Sequence, residues 1–329
     1  MWTLFTCLSV FLPKTFYALF LLLSKIPVLF KRKPARKLAT AGAIIGFALF
    51  FTIWWGSLVT TRQIQINKVT IESAKIPAAF DGYKIVQFSD LHTGTFGKNT
   101  SIVENMVEEI NATNPDLIVF TGDIVNNASS ELRPFTGVLK ELKSRDGVIS
   151  ILGNHDYGDY KRWKTEADKR KNLDNLISTQ RDTLKWNLLL NQHTYITKDN
   201  DSILVIGVEN WGEPPFTTYG DLKKSMPADS TYNGFKLLLS HNPKHWEMEV
   251  VKKTDIDLTL SGHTHAMQFM VSIAGEKYSP ASIRYGHWQG LYDNNGQKLY
   301  VNIGMGEVGV PMRIGATPEI TIITLKSSK

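Results

Sequence analysis

Apolar positions along this chain fall into two regimes. Residues 1–30 are predominantly apolar, with Lys14 and Lys25 their only charged side chains, and residues 38–59 run for 22 positions without an ionisable side chain. A helix of that length rises far enough to cross a hydrocarbon core of roughly 30 Å. A membrane span is therefore predicted at 38–59, with Trp54 and Trp55 near its end as interfacial aromatics. Residues 1–30 form either a second span, kinked at Pro13, or an amphipathic helix lying in the interface.

Beyond residue 62 the runs shorten to strand length. QIQINKVTIES (63–73) alternates with period two and reads as an edge strand within a connecting segment, 62–79. KIVQFSDLH (84–92), DLIVFTGDIVN (116–126), GVISILGNHD (147–156), FKLLLSHNP (235–243) and IDLTLSGHTH (256–265) are apolar runs that end in polar residues. Each has the length and composition of a buried strand. SILVIGVEN (202–210) and KLYVNIGMGE (298–307) are further strands, with glycines at their ends.

Helices are predicted between the first strands. Ser101 and Glu104 have capping-box spacing ahead of a stripe formed by Ile102, Val103, Met106, Val107 and Ile110. Leu132, Phe135, Val138, Leu139 and Leu142 form a second stripe. Strand and helix in alternation predict an α/β domain over 80–329, with a parallel sheet and right-handed crossovers. A second sheet, from about residue 200 onward, packs on the first. The segment 160–190 reads as a polar helix. Its Lys161, Arg162, Lys164, Lys169, Arg170 and Lys171 could attract phosphate, though a solvated face is the simpler reading.

Charge divides along the same boundary. The chain carries +6 overall, but residues 1–61 hold seven basic residues and no acidic one, leaving 30 Lys+Arg against 31 Asp+Glu beyond them. The basic balance belongs to the anchor, so nucleic-acid binding is not expected. KRKPARK (31–37) puts five positive charges in seven residues beside the span. Such clusters stay in the cytoplasm, which places the globular domain outside it, on the periplasmic side in a Gram-negative cell. The single cysteine, Cys7, lies in the first apolar segment and excludes a disulfide framework.

Five of the eight histidines sit just past strand ends, together with two aspartates and an asparagine: Asp90, His92, Asp123, Asn154, His155, His241, His263 and His265. His193, His245 and His287 lack such a setting. Mixed carboxylate, amide and imidazole donors suit Mn, Fe, Zn or Co better than calcium. Seven of these as ligands exceed one tetrahedral site and match two ions sharing a carboxylate. Within SGHTH (261–265) the two imidazoles either share a face, as in a strand, or splay apart in a turn after Gly262.

Asp90-Leu91-His92, Gly122-Asp123-Ile124-Val125-Asn126, Gly153-Asn154-His155-Asp156, His241 and Gly262-His263-Thr264-His265 occur in that order. Together they resemble the signature of the calcineurin-like metallophosphoesterases, and more loosely that of membrane-anchored bacterial phosphodiesterases within that family. The resemblance implies a four-layer α-β-β-α sandwich and a centre of two divalent or transition-metal ions, with Mn, Fe or Zn foremost. It implies Asp90, His92, Asp123 and His265 on one ion, and Asp123, Asn154, His241 and His263 on the other. It also implies in-line attack on phosphorus by water activated between the ions. His155 would contact the phosphoryl group or protonate the leaving oxygen. Asn126 would orient His155, with an amide that raises the ring's pKa less than a carboxylate would.

The family's protein phosphatases carry arginine after the second motif; here Asn127-Ala128 follow Asn126. Losing that bidentate clamp on a dianion favours a phosphodiester or pyrophosphate linkage over a monoester. Membrane attachment would bring a lipid-linked substrate within reach. A phosphomonoesterase and a non-catalytic, metal-stabilised binding domain are the alternatives.

Overall fold

In the computed structural model, which describes residues 2–228 and 231–328, the N-terminal apolar segments are α1 (Trp2–Leu29) and α2 (Arg36–Leu58). Both are long and apolar enough to cross a membrane. They pack antiparallel, and the contact depends on small residues. A Cβ on Gly42 would strike Phe20, and one on Gly46 would lie 3.1 Å from the Pro13 carbonyl. Close backbone approach at glycines four apart is how apolar helices associate without a hydrophobic driving force. α1 runs through Pro13 and Pro27. Phe11, Leu22, Phe47, Phe51 and Trp55 all point outward and are exposed.

Strands β1 (Gln65–Ser73), β2 (Lys84–Phe88), β3 (Leu117–Phe120), β4 (Val148–Ser150) and β5 (Asn187–Leu188) come first. They are followed by β6 (Gln192–Lys198), β7 (Asp201–Gly207), β8 (Lys236–Leu239) and β9 (Leu258–Ser261). The hairpin β10 (Val271–Ile273) and β11 (Glu276–Tyr278) stands apart, before β12 (Gly290–Asn294), β13 (Gln297–Val301) and β14 (Glu319–Ser327). Two six-stranded sheets result, in the orders β1-β14-β2-β3-β4-β5 and β12-β13-β9-β8-β7-β6. β2 through β5 are parallel, as expected from the alternation, and so are β7, β8, β9 and β13. β1 is indeed an edge strand, but it pairs with β14 along its whole length and so belongs to the sheet.

The sheets pack face to face. In β3, Leu117 and Val119 point into the layer between the sheets, where they meet Leu237, Leu239, Leu258 and Leu260. Ile118 and Phe120 point the other way, onto α3 (Ser101–Ala112) through Val103, Met106 and Ile110. A strand apolar on both faces is what a doubly covered sheet requires. Short helical turns at Leu222–Ser225 and Trp246–Val250 cover the second sheet's outer face. The architecture is the expected four-layer sandwich, with a thin fourth layer.

Two local expectations are corrected. The cap of α3 is Thr100, not Ser101, and the Thr100 hydroxyl donates to Glu104 Oε1 at 2.7 Å, so the capping box does not form at Ser101. The stripe at 132–142 is not one helix but a 3-10 turn, Ser129–Phe135, leading into α4 (Thr136–Leu139). Pro134 has no N–H to give an α-helix. Upstream, Glu131 accepts from the peptide N–H groups of Asn126 (2.7 Å), Asn127 and Ala128 (both 3.2 Å), tying the turn to the candidate site. Within 160–190, α5 covers Glu166–Ser178.

Candidate metal centre

The ligand candidates lie where parallel strands of the two sheets end. Five of the seven, Asp90, His92, Asp123, His263 and His265, have φ between 45° and 74°. That region costs an L-residue roughly 1–2 kcal/mol, so each strand is turned at the residue whose side chain must point inward. The turns pack closely enough to exclude even a methyl group: a Cβ on Gly153 would collide with the Asp123 carboxylate, and one on Gly262 with Ser89 and Asp90.

Two groups of donors emerge. The ligand atoms of Asp90, His92 and His265 lie within 4.8 Å of one another, and so do those of Asp123, His241 and His263. In the first group, His92 Nε2 is 3.1 Å from His265 Nε2, which is 3.2 Å from Asp90 Oδ1. In the second, His241 Nε2 is 3.1 Å from Asp123 Oδ2, 3.1 Å from Asn154 Oδ1 and 3.2 Å from His263 Nδ1. Asp123 Oδ2 is also 3.6 Å from His92 Nε2, so one carboxylate oxygen reaches both groups. The imidazoles of SGHTH splay: His263 joins the second group and His265 the first.

These donors fit cations. His241 Nδ1 faces the Thr121 carbonyl at 2.7 Å and must donate to it, which in the neutral ring leaves Nε2 as a lone pair. Around that atom sit the Asp123 carboxylate, the Asn154 carbonyl oxygen and a His263 ring nitrogen, a set that a cation at Nε2, metal ion or proton, satisfies. Side-chain electrostatics agree. Burial works against the Asp90 carboxylate, yet the His265 and His241 rings hold it well below its usual range. Burial likewise opposes Asp123, and His241, His155 and His92 outweigh it. Burial pulls His92 well below the ordinary imidazole range, and burial with His241 takes His263 down to about 3. Burial lowers His241 too, but Asp123 and Asp90 outweigh it and push the ring up to about 9. Two buried carboxylates thus stay ionised beside a cluster of imidazoles.

The profile of the calcineurin-like phosphoesterase family matches residues 83–267. The chain belongs to that family. It is 33% identical over 297 residues to an uncharacterized metallophosphoesterase, YkuE, of Bacillus subtilis (strain 168), spanning 88% of this chain and 92% of the relative. It is 29% identical over 340 residues to a transmembrane protein with a metallophosphoesterase domain from Danio rerio, covering 98% of this chain and 73% of that one. Metal dependence comes with the family, and this metallophosphoesterase has two candidate clusters to meet it.

His155 stands beside them. Its peptide N–H donates to Asp123 Oδ1 at 2.8 Å, and its ring lies against His92 and Tyr160. Its Nδ1 donates to Asn126 at 2.7 Å, but the acceptor is the main-chain carbonyl, whereas the Asn126 amide donates to Thr95 Oγ1. The expected orienting contact is therefore made by the main chain of Asn126 and not by its side chain. His193, His245 and His287 lie outside the centre, against Ser225, Ser240 and Glu247.

Four residues of the surroundings escaped the sequence reading. Asp156 is fully buried and accepts from the N–H groups of Asp123, Ile124 and Gly153 at 2.9 Å and of Val125 at 3.3 Å. It locks the two loops that carry candidate ligands together; burial and the Asp123 charge push its carboxyl up to about 7 against the pull of those N–H groups. Buried Arg313 donates to the Ile303 (3.1 Å) and Ala316 (2.9 Å) carbonyls, and its Nη2 also rests 3.2 Å from His265 Nδ1. Tyr160 and Tyr285 meet Asn154 Nδ2 (2.9 Å) and His263 Nε2 (3.1 Å). Asp156 was visible as the last residue of the third motif but was given no role, Tyr160 was marked only by its proximity to that motif, and nothing marked Tyr285 or Arg313.

Proposed function

We propose that this metallophosphoesterase is membrane-anchored and hydrolyses a phosphodiester or pyrophosphate linkage at a two-metal centre. The observation that carries the reading is the convergence of seven donor side chains on two points that share Asp123, with His155 alongside. Asp90, His92, Asp123 and His265 would hold one ion, and Asp123, Asn154, His241 and His263 the other, with Mn, Fe or Zn suited to the donors. When bound, such a pair supplies hydroxide near neutral pH and neutralises phosphoryl oxygens. The protein's own part is to fix the ligands through its strained turns and to hold His155. With Nδ1–H committed to Asn126, the ring exchanges protons at Nε2, the atom left for the phosphoryl group or the leaving oxygen.

A cleft of about 200 Å³ adjoins the second cluster, lined by Asn154, Tyr160, Trp211, Phe216, His263 and Tyr285. Its aromatic walls suit a bulky leaving group. The nearby cations Lys244 and Arg284 lie 2.7 Å and 3.9 Å from Glu213, so neither is an unpaired clamp for a phosphate dianion. A lipid-linked substrate fits an anchored enzyme. The basic loop at 31–37 would remain cytoplasmic and the catalytic domain would face away from the cytoplasm; a carboxy-terminal reporter active only in the cytoplasm would reverse that topology.

The test uses the full chain in detergent, loaded with Mn or Zn, on an aryl phosphodiester and the matching monoester at equal concentration. Diester hydrolysis should dominate; monoester preference would assign the alternative activity. Asp123→Asn should lose metal and turnover together, and its full activity would refute the bridging role. Less than one metal equivalent, with no hydrolysis after reconstitution, would point to the non-catalytic binding domain.

A further inference from the structure

Where α2 ends, a second cavity of about 200 Å³ opens between the helix hairpin and the first sheet. Trp2 and Leu58 come from the helices, Phe96 from the catalytic domain, and the polar lining includes Ser57, Arg62 and Glu307. Its volume is far above the ~10–15 Å³ that one water needs.

Two buried polar groups on its wall lack partners. Glu307 is 3% exposed and its Oε1 makes no hydrogen bond; Ser57 is 8% exposed and its Oγ makes none. A carboxylate oxygen left without a donor in such surroundings is unfavourable, and a cationic hydrogen-bond donor answers it best. Burial pushes the Glu307 carboxyl up to about 7, against the pull of Arg313. At the rim, exposed Arg62 forms no ion pair among the described residues. The cavity therefore has an acceptor at its buried end, a guanidinium at its mouth, and Trp2 and Leu58 beside the helices.

We propose that this seam binds the headgroup of an aminophospholipid, its primary ammonium on Glu307 and Ser57 and its phosphate on Arg62. The site rests on the reading that α1 and α2 lie in a bilayer, which puts the residues after Leu58 at headgroup depth. It also reaches the catalytic loop. Thr95 Oγ1 donates to the Glu307 carbonyl at 2.6 Å and accepts from Asn126 Nδ2 at 3.2 Å, and the Asn126 carbonyl holds His155. A headgroup in the seam thus braces the anchor against the segment that positions His155.

The experiment places the full chain in nanodiscs of phosphatidylcholine alone, or with phosphatidylethanolamine or phosphatidylglycerol added. It reads retained lipid by native mass spectrometry and the apparent melting temperature. Phosphatidylethanolamine should be retained at least five-fold over phosphatidylcholine and should raise the melting temperature by several degrees. Glu307→Gln and Arg62→Gln should each remove that preference, and because Arg62 is exposed its variant tests the idea even if the buried change harms folding. Equal retention of the two lipids, or a preference surviving both substitutions, overturns the proposal. So does a phosphatidylglycerol preference that only Arg62→Gln removes, since it would assign an anionic headgroup. Vesicle flotation separates the premises: a chain that fails to float refutes the membrane reading, and one that floats without headgroup preference refutes this site alone.

Discussion

Replacing Asp156 by asparagine tests how the metal loops are held. Each carboxylate oxygen accepts two peptide N–H groups: Oδ2 those of Asp123 and Gly153, Oδ1 those of Ile124 and Val125. An amide in either orientation turns its NH2 toward two of these donors, so two bonds are lost and two buried N–H groups are left unsatisfied. A buried N–H left unsatisfied costs ~1–3 kcal/mol, so the two released groups should cost roughly 2–6 kcal/mol in the metal-loaded protein, where bound cations offset the Asp123 charge that raises the Asp156 carboxyl; that is a large share of the ~5–15 kcal/mol of a typical domain. At about 2–4 °C per kcal/mol for a domain of this size, the apparent melting temperature should fall by roughly 4–24 °C. The measurement is thermal unfolding in detergent at pH 8, where Asp156 is ionised, with metal counted on the same samples and exposed Asp174→Asn as control. Metal content should drop as well, because Asp123 is one of the residues released. A shift under about 3 °C with metal content unchanged would refute the clamp.

Two further outcomes are expected. Gly56→Leu should weaken metal binding roughly ten-fold in a titration of the full chain, because a Cβ there would lie 2.9 Å from the Arg313 carbonyl and push α2 off the segment whose guanidinium packs on His265; unchanged affinity would separate the anchor from the centre. Burial takes His245 down to about 4 in spite of Glu249. The unfolded chain therefore takes up that proton near pH 6.5 and the folded one only near 4. Stability should fall by about 3 kcal/mol as pH drops through that window, and denaturation of His245→Gln should lack this part of the slope.

Much of the fold could be read from the chain because burial on both faces leaves a mark in composition. β3 is apolar at every position and β8 at all but its first, and helix-period stripes separate the first strands. The hairpin of α1 and α2 was half legible. Hydrophobic length marks a span, but the packing that joins the two depends on Gly42 and Gly46, whose role is an absence of side chain. The 3-10 turn at Ser129–Phe135 was hidden for a different reason. Its apolar positions suit a helix, while Glu131 is engaged by three peptide groups of the loop at 126–128, a tertiary demand that local periodicity does not carry.

The candidate site divides along the same physical line. Asp90, His92, Asp123, Asn154, His241, His263 and His265 were recognisable because their chemistry depends on side-chain type: only certain donors bind a transition metal, so the residues themselves are the signal. What positions them works largely through the main chain. Asp156 grips four peptide N–H groups, which any non-proline residue at those positions would supply. Asn126 illustrates the point most directly. Its amide looked like the feature that sets the character of His155, yet the bond that holds the ring ends on the Asn126 carbonyl, a group that every residue possesses. Substitution at 126 should therefore act through the backbone of that loop, including the bonds from Glu131 and the amide's contact with Thr95, rather than through the charge of the new side chain. The residue type at a motif position can mark where a main-chain oxygen is needed without being the group that does the chemistry.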